Sequence, residues 1–341
     1  MKVGVLTGGG DCPGLNGVIR GVVQVGAIRF GHEHVGLLHG WRGLLEKEER
    51  ALGPEDVADI LEVGGTILRS SRTNPFKNAG GGEAAVAAFA ELGLDALVAI
   101  GGEDTLGVAR RLYEEHGLKT IGVPKTIDND LSGTDYTFGF WSAVQIATEN
   151  IDRLRTTARS HDRVMVVEVM GRHSGWIANE SGIATSADLT LIPEQPVTLE
   201  EVVAHVRKLL DGGRDYVMVV VSEGVELEAD GEGEVDDFGH KQLAKVGVGE
   251  QIADAIKEGT GHDTRATVLG HIQRGGSPIA YDRVLSTRFG VRAAELVEEG
   301  GFGRMVALRG DEIVDIPLSE AVSELKLVPA ERYRVTSSFW T

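Results

Sequence analysis

Short apolar runs rich in valine, isoleucine and leucine recur along this chain, at residues 3–6, 35–38, 94–100, 120–123, 164–169, 189–192, 216–221 and 266–269. Several of them empty into glycine or a polar cluster, and segments with helical spacing lie between them, at 14–29, 83–92, 105–116, 142–155, 199–210, 249–258 and 283–299. A strand with one wet face alternates apolar and polar residues, whereas an unbroken apolar run suits a parallel strand covered on both faces. The pattern therefore predicts an α/β chain, doubly wound, with mainly parallel sheets. In such folds ligands bind outside the carboxyl ends of the strands, so the residues just after each run carry the functional reading.

Length and charge narrow the classes. The 341 residues allow two domains or one large α/β domain with a sizeable core. Glycine is over-used, 47 residues against 9 prolines with no collagen-like period, as many tight strand-to-helix turns would require. A net charge of −18 argues against nucleic acid or an anionic membrane as partner, so an anionic substrate must meet locally placed arginines. Cys12 is the only cysteine, which rules out an internal disulfide. The first seven residues read as a strand instead of a signal peptide, and no window approaches the roughly 20 apolar residues of a membrane-spanning helix. A cytoplasmic protein is the expectation. Residues 226–239, glycine-rich and acidic, read as a surface loop, and residues 78–82 as a flexible connection before a helix.

The first run ends in Thr7-Gly8-Gly9-Gly10-Asp11, a turn that serves equally as a phosphate cradle or as a plain connection. The run at 94–100 enters Gly101-Gly102-Glu103-Asp104-Thr105, whose carboxylates suit magnesium shared with phosphates or, equally, the capping of the next helix. The run at 120–123 enters Pro124-Lys125-Thr126-Ile127-Asp128-Asn129-Asp130, where a cation, a hydroxyl and two carboxylates crowd together. In-line phosphoryl transfer needs a base for the attacking hydroxyl, a carboxylate near magnesium and positive charge on the transferring oxygens. Asp128, Asp130 and Lys125 are the candidates for those roles. Further strand ends carry Arg163, Met170-Gly171-Arg172, Glu223, Arg265, His271 and Arg274. Arginine holds phosphate by forked hydrogen bonds, and Glu223 and His271 are suited to sugar hydroxyls.

With these residues laid out, the chain resembles the 6-phosphofructokinases along nearly its whole length. The family's Thr-Ile-Asp-Asn-Asp stands at 126–130, its Met-Gly-Arg at 170–172 and its His-Ile-Gln-Arg-Gly-Gly at 271–276. The resemblance implies a phosphofructokinase fold of two Rossmann-like lobes. Residues 1–139 with about 273–323 would form the donor lobe, and 140–272 with about 324–341 the fructose 6-phosphate lobe. It implies that Asp128 accepts the proton of the sugar's 1-hydroxyl. Thr126, Met170, Gly171, Arg172, Glu223, His271 and Arg274 would contact fructose 6-phosphate. Arg163 and Arg265 would reach it from a neighbouring subunit of a homo-oligomer, a dimer or a tetramer.

The donor side departs from the ATP-using members. They carry Gly-Gly-Asp-Gly-Ser and Pro-Gly-Thr-Ile-Asp where this chain has Gly101-Gly102-Glu103-Asp104-Thr105 and Pro124-Lys125-Thr126. A carboxylate at Asp104 would occupy and repel the space of an ATP α-phosphate, and Lys125 would add positive charge beside a pyrophosphate-derived leaving group. The pair resembles the pyrophosphate-dependent branch; ATP as donor is the alternative reading. Gly10 and Arg72 match family positions that touch the donor; Glu103 stands at the metal-side position in place of the family's usual Asp, so a longer carboxylate would place Mg2+, with Asp130 as the second metal-side candidate. Arg20 stands at one effector position of the family but Gln24 at another, so effector control is not expected. A nucleotide kinase would lack the runs at 126–130 and 271–276. A non-catalytic sugar-phosphate-binding subunit would have no need of Asp128, Thr126, Arg172 and Arg274 together.

Overall fold

The computed structural model describes residues 1–227, 247–338 and 340. In chain order the elements begin β1 (Lys2–Thr7), α1 (Leu15–Phe30), β2 (Glu33–Leu37), α2 (Trp41–Glu46), β3 (Glu49–Leu52), α3 (Gly81–Glu91), β4 (Ala96–Gly101), α4 (Glu103–His116) and β5 (Thr120–Pro124). They continue α5 (Phe140–Ser160), β6 (Val164–Val169), α6 (Trp176–Thr185), β7 (Leu189–Leu191), α7 (Leu199–Asp211), β8 (Val217–Ser222), α8 (Val248–Thr260) and β9 (Thr264–Val268). The chain closes with α9 (Ala280–Glu299), β10 (Arg304–Arg309), β11 (Glu312–Pro317), α10 (Leu318–Ala321) and α11 (Ala330–Ser337).

Two compact units result: residues 1–142 with 274–325, and residues 143–273 with 326–341. The first holds a seven-stranded sheet of order β11-β10-β5-β4-β1-β2-β3, the second a four-stranded sheet of order β7-β8-β6-β9. In the first sheet β1 pairs in parallel with both β2 and β4, and β4 with β5. The chain moves from β1 to β2 on one side and later returns to β4 on the other. That reversal places the topological switch point between β1 and β4, where open α/β sheets bind ligands. The second sheet is parallel throughout, and β6 pairs with β8 on one side and β9 on the other.

The central strands are buried on both faces, as their unbroken apolar sequences require. Every residue of β4, β5, β6 and β8 is buried. Leu6, Leu37, Leu97, Leu106 and Leu112 anchor the core of the first unit; Val166, Val219, Val206 and Ile252 anchor that of the second. Helix α7 shows how local sequence sets a boundary. Thr198 Oγ1 accepts from Glu201 N at 3.2 Å, and Glu201 Oε2 accepts from Thr198 N at 2.9 Å, a reciprocal cap written in Thr-Leu-Glu-Glu.

The structure departs from the sequence expectations at the sheet margins. Strands β3 and β11 are antiparallel additions at the two edges of the larger sheet, and β10 was not anticipated either. Their residues mix charge with apolar groups, as in Glu-Arg-Ala-Leu and Glu-Ile-Val-Asp-Ile-Pro, because an edge strand has less to cover it. Strand β9 is also an edge and is only partly covered: Val268 is exposed, contrary to the expectation of two buried faces. The connection expected at 78–82 is shorter: Gly81 and Gly82 already form the first residues of α3, with Gly80 in a left-handed conformation at its N-cap. Most of the loop expected at 226–239 lies outside the described residues. No helix among the described residues is long and apolar enough to cross a membrane.

Candidate active site

In the first unit the turns after β1, β4 and β5 form one construction. Gly8 N donates to Ile100 O at 2.9 Å, and Lys125 N to Gly101 O at 2.9 Å, so each turn leaves its strand already tied to its neighbour. Thr105, in the first turn of α4, fills the space between the glycines. A Cβ at Gly8 would lie 2.4 Å from its Oγ1, and one at Gly101 2.3 Å from its Cβ. Glycine is required at both points for that approach.

Lys125 is 3% exposed, and its Nζ donates to Gly10 O at 2.5 Å. Arg274 reaches the same residue: its Nη1 donates to Asp11 O at 3.3 Å and would stand 2.7 Å from a Cβ at Gly10. Two cations from distant stretches of sequence thus converge on the turn after β1. The next segment, 69–72, is zipped to that turn. Gly9 N donates to Ser71 O at 3.1 Å, and Ser70 Oγ to Gly9 O at 2.5 Å. Arg72, with Gly9, Gly10, Asp11 and Ser71, lines a cavity of about 420 Å³.

The run after Lys125 is locked by its own hydrogen bonds. Thr126 Oγ1 accepts from Asp128 N at 3.0 Å. Thr137 donates its N–H to Asn129 Oδ1 at 3.1 Å and its hydroxyl to Thr126 O at 2.7 Å. Asn129 adopts a left-handed backbone, φ 52°, which asparagine tolerates better than most residues. Asp128 is held in this frame with only 4% of its surface exposed.

Glu103 and Asp104 open helix α4, where the helix dipole favours negative charge. The N-cap position itself is Gly102, and the two carboxylates follow it in the first turn. Among the described residues no group of three or more His, Cys, Asp or Glu could hold a metal by itself. Magnesium does not require such a cage, because it takes one or two carboxylates and completes its shell with water and phosphate oxygens. Glu103 and Asp130 fit a site of that shared kind.

In the second unit Met170 follows β6 and is 8% exposed. Gly171 and Arg172 donate their N–H groups to Glu223 Oε1, at 3.2 and 3.0 Å. One oxygen of Glu223 therefore fixes the backbone of the Met-Gly-Arg turn, a role the sequence reading did not include. Arg172 sits at φ 50°, a conformation that costs a non-glycine residue about 1–3 kcal/mol and persists only where the surroundings hold it. Arg163 and Arg265 share a single carboxylate. Arg163 Nε donates to Asp263 Oδ2 at 2.5 Å, and Arg265 Nη2 lies 3.2 Å from Asp263 Oδ1. The hydrogen bond from Arg163 holds the Asp263 carboxyl below its usual range. Asp263 was missed in sequence, where nothing sets it apart from the chain's other carboxylates. His271 lies exposed in a 3₁₀ turn, Gly270–Arg274.

Thus Gly10, Lys125 and Arg274 are brought together in the first unit, as are Glu223, Gly171 and Arg172 in the second. Both turn systems are glycine-rich and carry cations at strand ends, the features a phosphoryl-transfer protein of α/β class needs. Comparison with known proteins agrees. Residues 2–297 match the family "Phosphofructokinase". A pyrophosphate–fructose 6-phosphate 1-phosphotransferase from Amycolatopsis methanolica is 58% identical, with the whole of both chains covered. An ATP-dependent 6-phosphofructokinase from Corynebacterium efficiens is 51% identical over 98% of this chain and 97% of its own. The solved pyrophosphate-dependent phosphofructokinase from Marinobacter aquaeolei superposes with a TM-score of 0.82 at 25% identity, covering 97% of this chain and 86% of that one. The chain belongs to the phosphofructokinase family, and its fold is that family's.

Proposed function

We propose that this protein transfers a phosphoryl group from pyrophosphate to the 1-hydroxyl of fructose 6-phosphate, giving fructose 1,6-bisphosphate and phosphate, and that it runs the reaction in both directions. One observation carries the choice of donor. Asp104 and Lys125 stand on the linked turns after β4 and β5, with the Lys125 ammonium held on Gly10 O beside the glycine turn. Asp104 repels a nucleotide's α-phosphate, while Lys125 neutralises charge on the phosphate that leaves.

Asp128 takes the proton of the 1-hydroxyl as that oxygen attacks phosphorus and the bridging P–O bond breaks. Inorganic phosphate departs. The locked turn keeps Asp128 from swinging away, so proximity is prepared before the substrate arrives. Thr126, Met170, Gly171, Arg172, Glu223, His271 and Arg274 bind fructose 6-phosphate, and Gly10 and Arg72 bind the donor. Magnesium, when bound, would be held by Glu103 and Asp130 and would screen the charge on the phosphates. On this reading residues 1–142 with 274–325 carry the donor, and 143–273 with 326–341 the sugar phosphate. Arg163 and Arg265 serve a neighbouring copy's fructose 6-phosphate in a homo-oligomer, steadied by Asp263. The enzyme acts in the cytoplasm, a setting that suits a single, buried thiol at Cys12.

The relative named as ATP-dependent, at 51% identity, makes ATP the donor to exclude. Purified protein with magnesium and fructose 6-phosphate is assayed with each donor for fructose 1,6-bisphosphate. Turnover with pyrophosphate and little with ATP is expected; robust turnover with ATP alone rejects the reading.

A further inference from the structure

We propose that Arg69 is a second arginine ligand for the donor's phosphate oxygens, an inference that rests on the pyrophosphate reading above. Arg69 lines the same cavity of about 420 Å³ as Gly9, Gly10 and Arg72. No ion pair or side-chain hydrogen bond engages the guanidinium of Arg69 or of Arg72 among the described residues. Elsewhere the arginines are commonly paired, as Arg292 is with Glu299 and Asp315, and Arg163 with Asp263. In a chain with 52 acidic residues, two unpaired guanidinium groups on one cavity mark a place reserved for an anion from outside. Asp11 is the one carboxylate among the lining residues.

The backbone points the same way. Arg69 adopts φ 59°, a left-handed conformation that glycine would take without strain. Its carbonyl accepts from Thr7 Oγ1 at 2.7 Å, which pins the residue to the end of β1, beside the turn that Lys125 also reaches. Nothing in that turn needs an arginine for folding; what the side chain adds is charge at the cavity. Pyrophosphate lacks a base and ribose, so its affinity must come from contacts to phosphate oxygens. A forked guanidinium supplies two such contacts.

Full-length wild type, Arg69→Gly and Arg69→Lys are compared with magnesium, pyrophosphate and fructose 6-phosphate, together with calorimetric binding of methylenediphosphonate, a non-hydrolysable pyrophosphate analogue. Loss of a charge-assisted contact should raise the pyrophosphate KM and the analogue Kd about tenfold in Arg69→Gly, with the fructose 6-phosphate KM within about twofold. Arg69→Lys should fall between. Arg69→Gly should melt no lower than wild type, because glycine fits the backbone. Unchanged pyrophosphate KM and analogue Kd in Arg69→Gly overturn the assignment while leaving pyrophosphate as the donor. If wild type uses ATP and not pyrophosphate, the donor reading fails instead. Arg69 is then judged on ATP: a raised KM in Arg69→Gly upholds it as a donor ligand, and an unchanged KM overturns it.

Discussion

The turns of the first unit and those of the second hold charge in opposite ways. Around Lys125, Asp128 and Asn129 the side chains are almost wholly buried; Lys125 Nζ donates to the Gly10 carbonyl, and Asn129 Oδ1 accepts from Thr137 N. Around Arg163 and Arg265 the side chains are 28% and 52% exposed and are restrained by one carboxylate, Asp263. Groups that move protons or meet a leaving group gain from rigidity, since misplacement costs rate. Groups that capture a phosphate from solvent can remain mobile until it arrives. Under the proposed function the contrast would separate a catalytic framework from a capturing one.

Loss of Asp128, the proposed base, should damage the buried side most severely. Asp128→Ser should lower kcat by about a thousandfold, within the range for loss of a general base, and leave both KM values within a few-fold. A change confined to KM would make Asp128 a binding residue.

Next comes a buried carboxylate of the first unit. Asp282 accepts from Ser142 N and Oγ, both at 2.7 Å, at the start of α5, and burial pushes its pKa up from 3.8 to about 6. A carboxyl with a raised folded-state pKa favours folding when protonated, so its contribution is full below pH 3.8 and is lost as pH rises through about 6. The unfolding free energy of wild type relative to Asp282→Asn should therefore fall by about 3 kcal/mol between pH 3.5 and 7. Parallel profiles from chemical denaturation would show that Asp282 does not titrate in this way.

Exchange of the proposed donor determinants comes third in size. Asp104→Gly combined with Lys125→Gly should lower kcat/KM for pyrophosphate about a hundredfold and raise it for ATP, because both the repulsion and the leaving-group charge are removed. Unaltered donor preference would refute the role of the pair. The smallest effect belongs to the exposed side. Asp263→Ala should raise the fructose 6-phosphate KM about tenfold with kcat nearly intact, as expected when a positioning partner and not a reacting group is lost. A fall in kcat of the same size as that of Asp128→Ser would erase the distinction between the two frameworks.

The central strands were legible because their burial on both faces is written as unbroken apolar runs, as in Val164–Val169. The edge strands β3 and β11 were not, since a partly exposed strand has no such signature. Among site residues, Lys125 and Asp128 stood out through their crowding within one short run. Asp263 and Arg69 did not. Each is an ordinary charged residue in sequence and gains its meaning from a partner or a cavity that only folding assembles, Arg163 and Arg265 for the one and the turn after β1 for the other. Glu223 was read as a sugar ligand, but its grip on the Gly171 and Arg172 backbone depends on β6 and β8 lying side by side.

The most direct test of pyrophosphate chemistry is the reverse reaction. Purified enzyme is given fructose 1,6-bisphosphate, inorganic phosphate and magnesium, and pyrophosphate and fructose 6-phosphate are measured as they form. Both are expected to appear together in equal amounts without any nucleotide. Failure to form pyrophosphate, by a preparation that phosphorylates fructose 6-phosphate from ATP, would contradict the pyrophosphate reading.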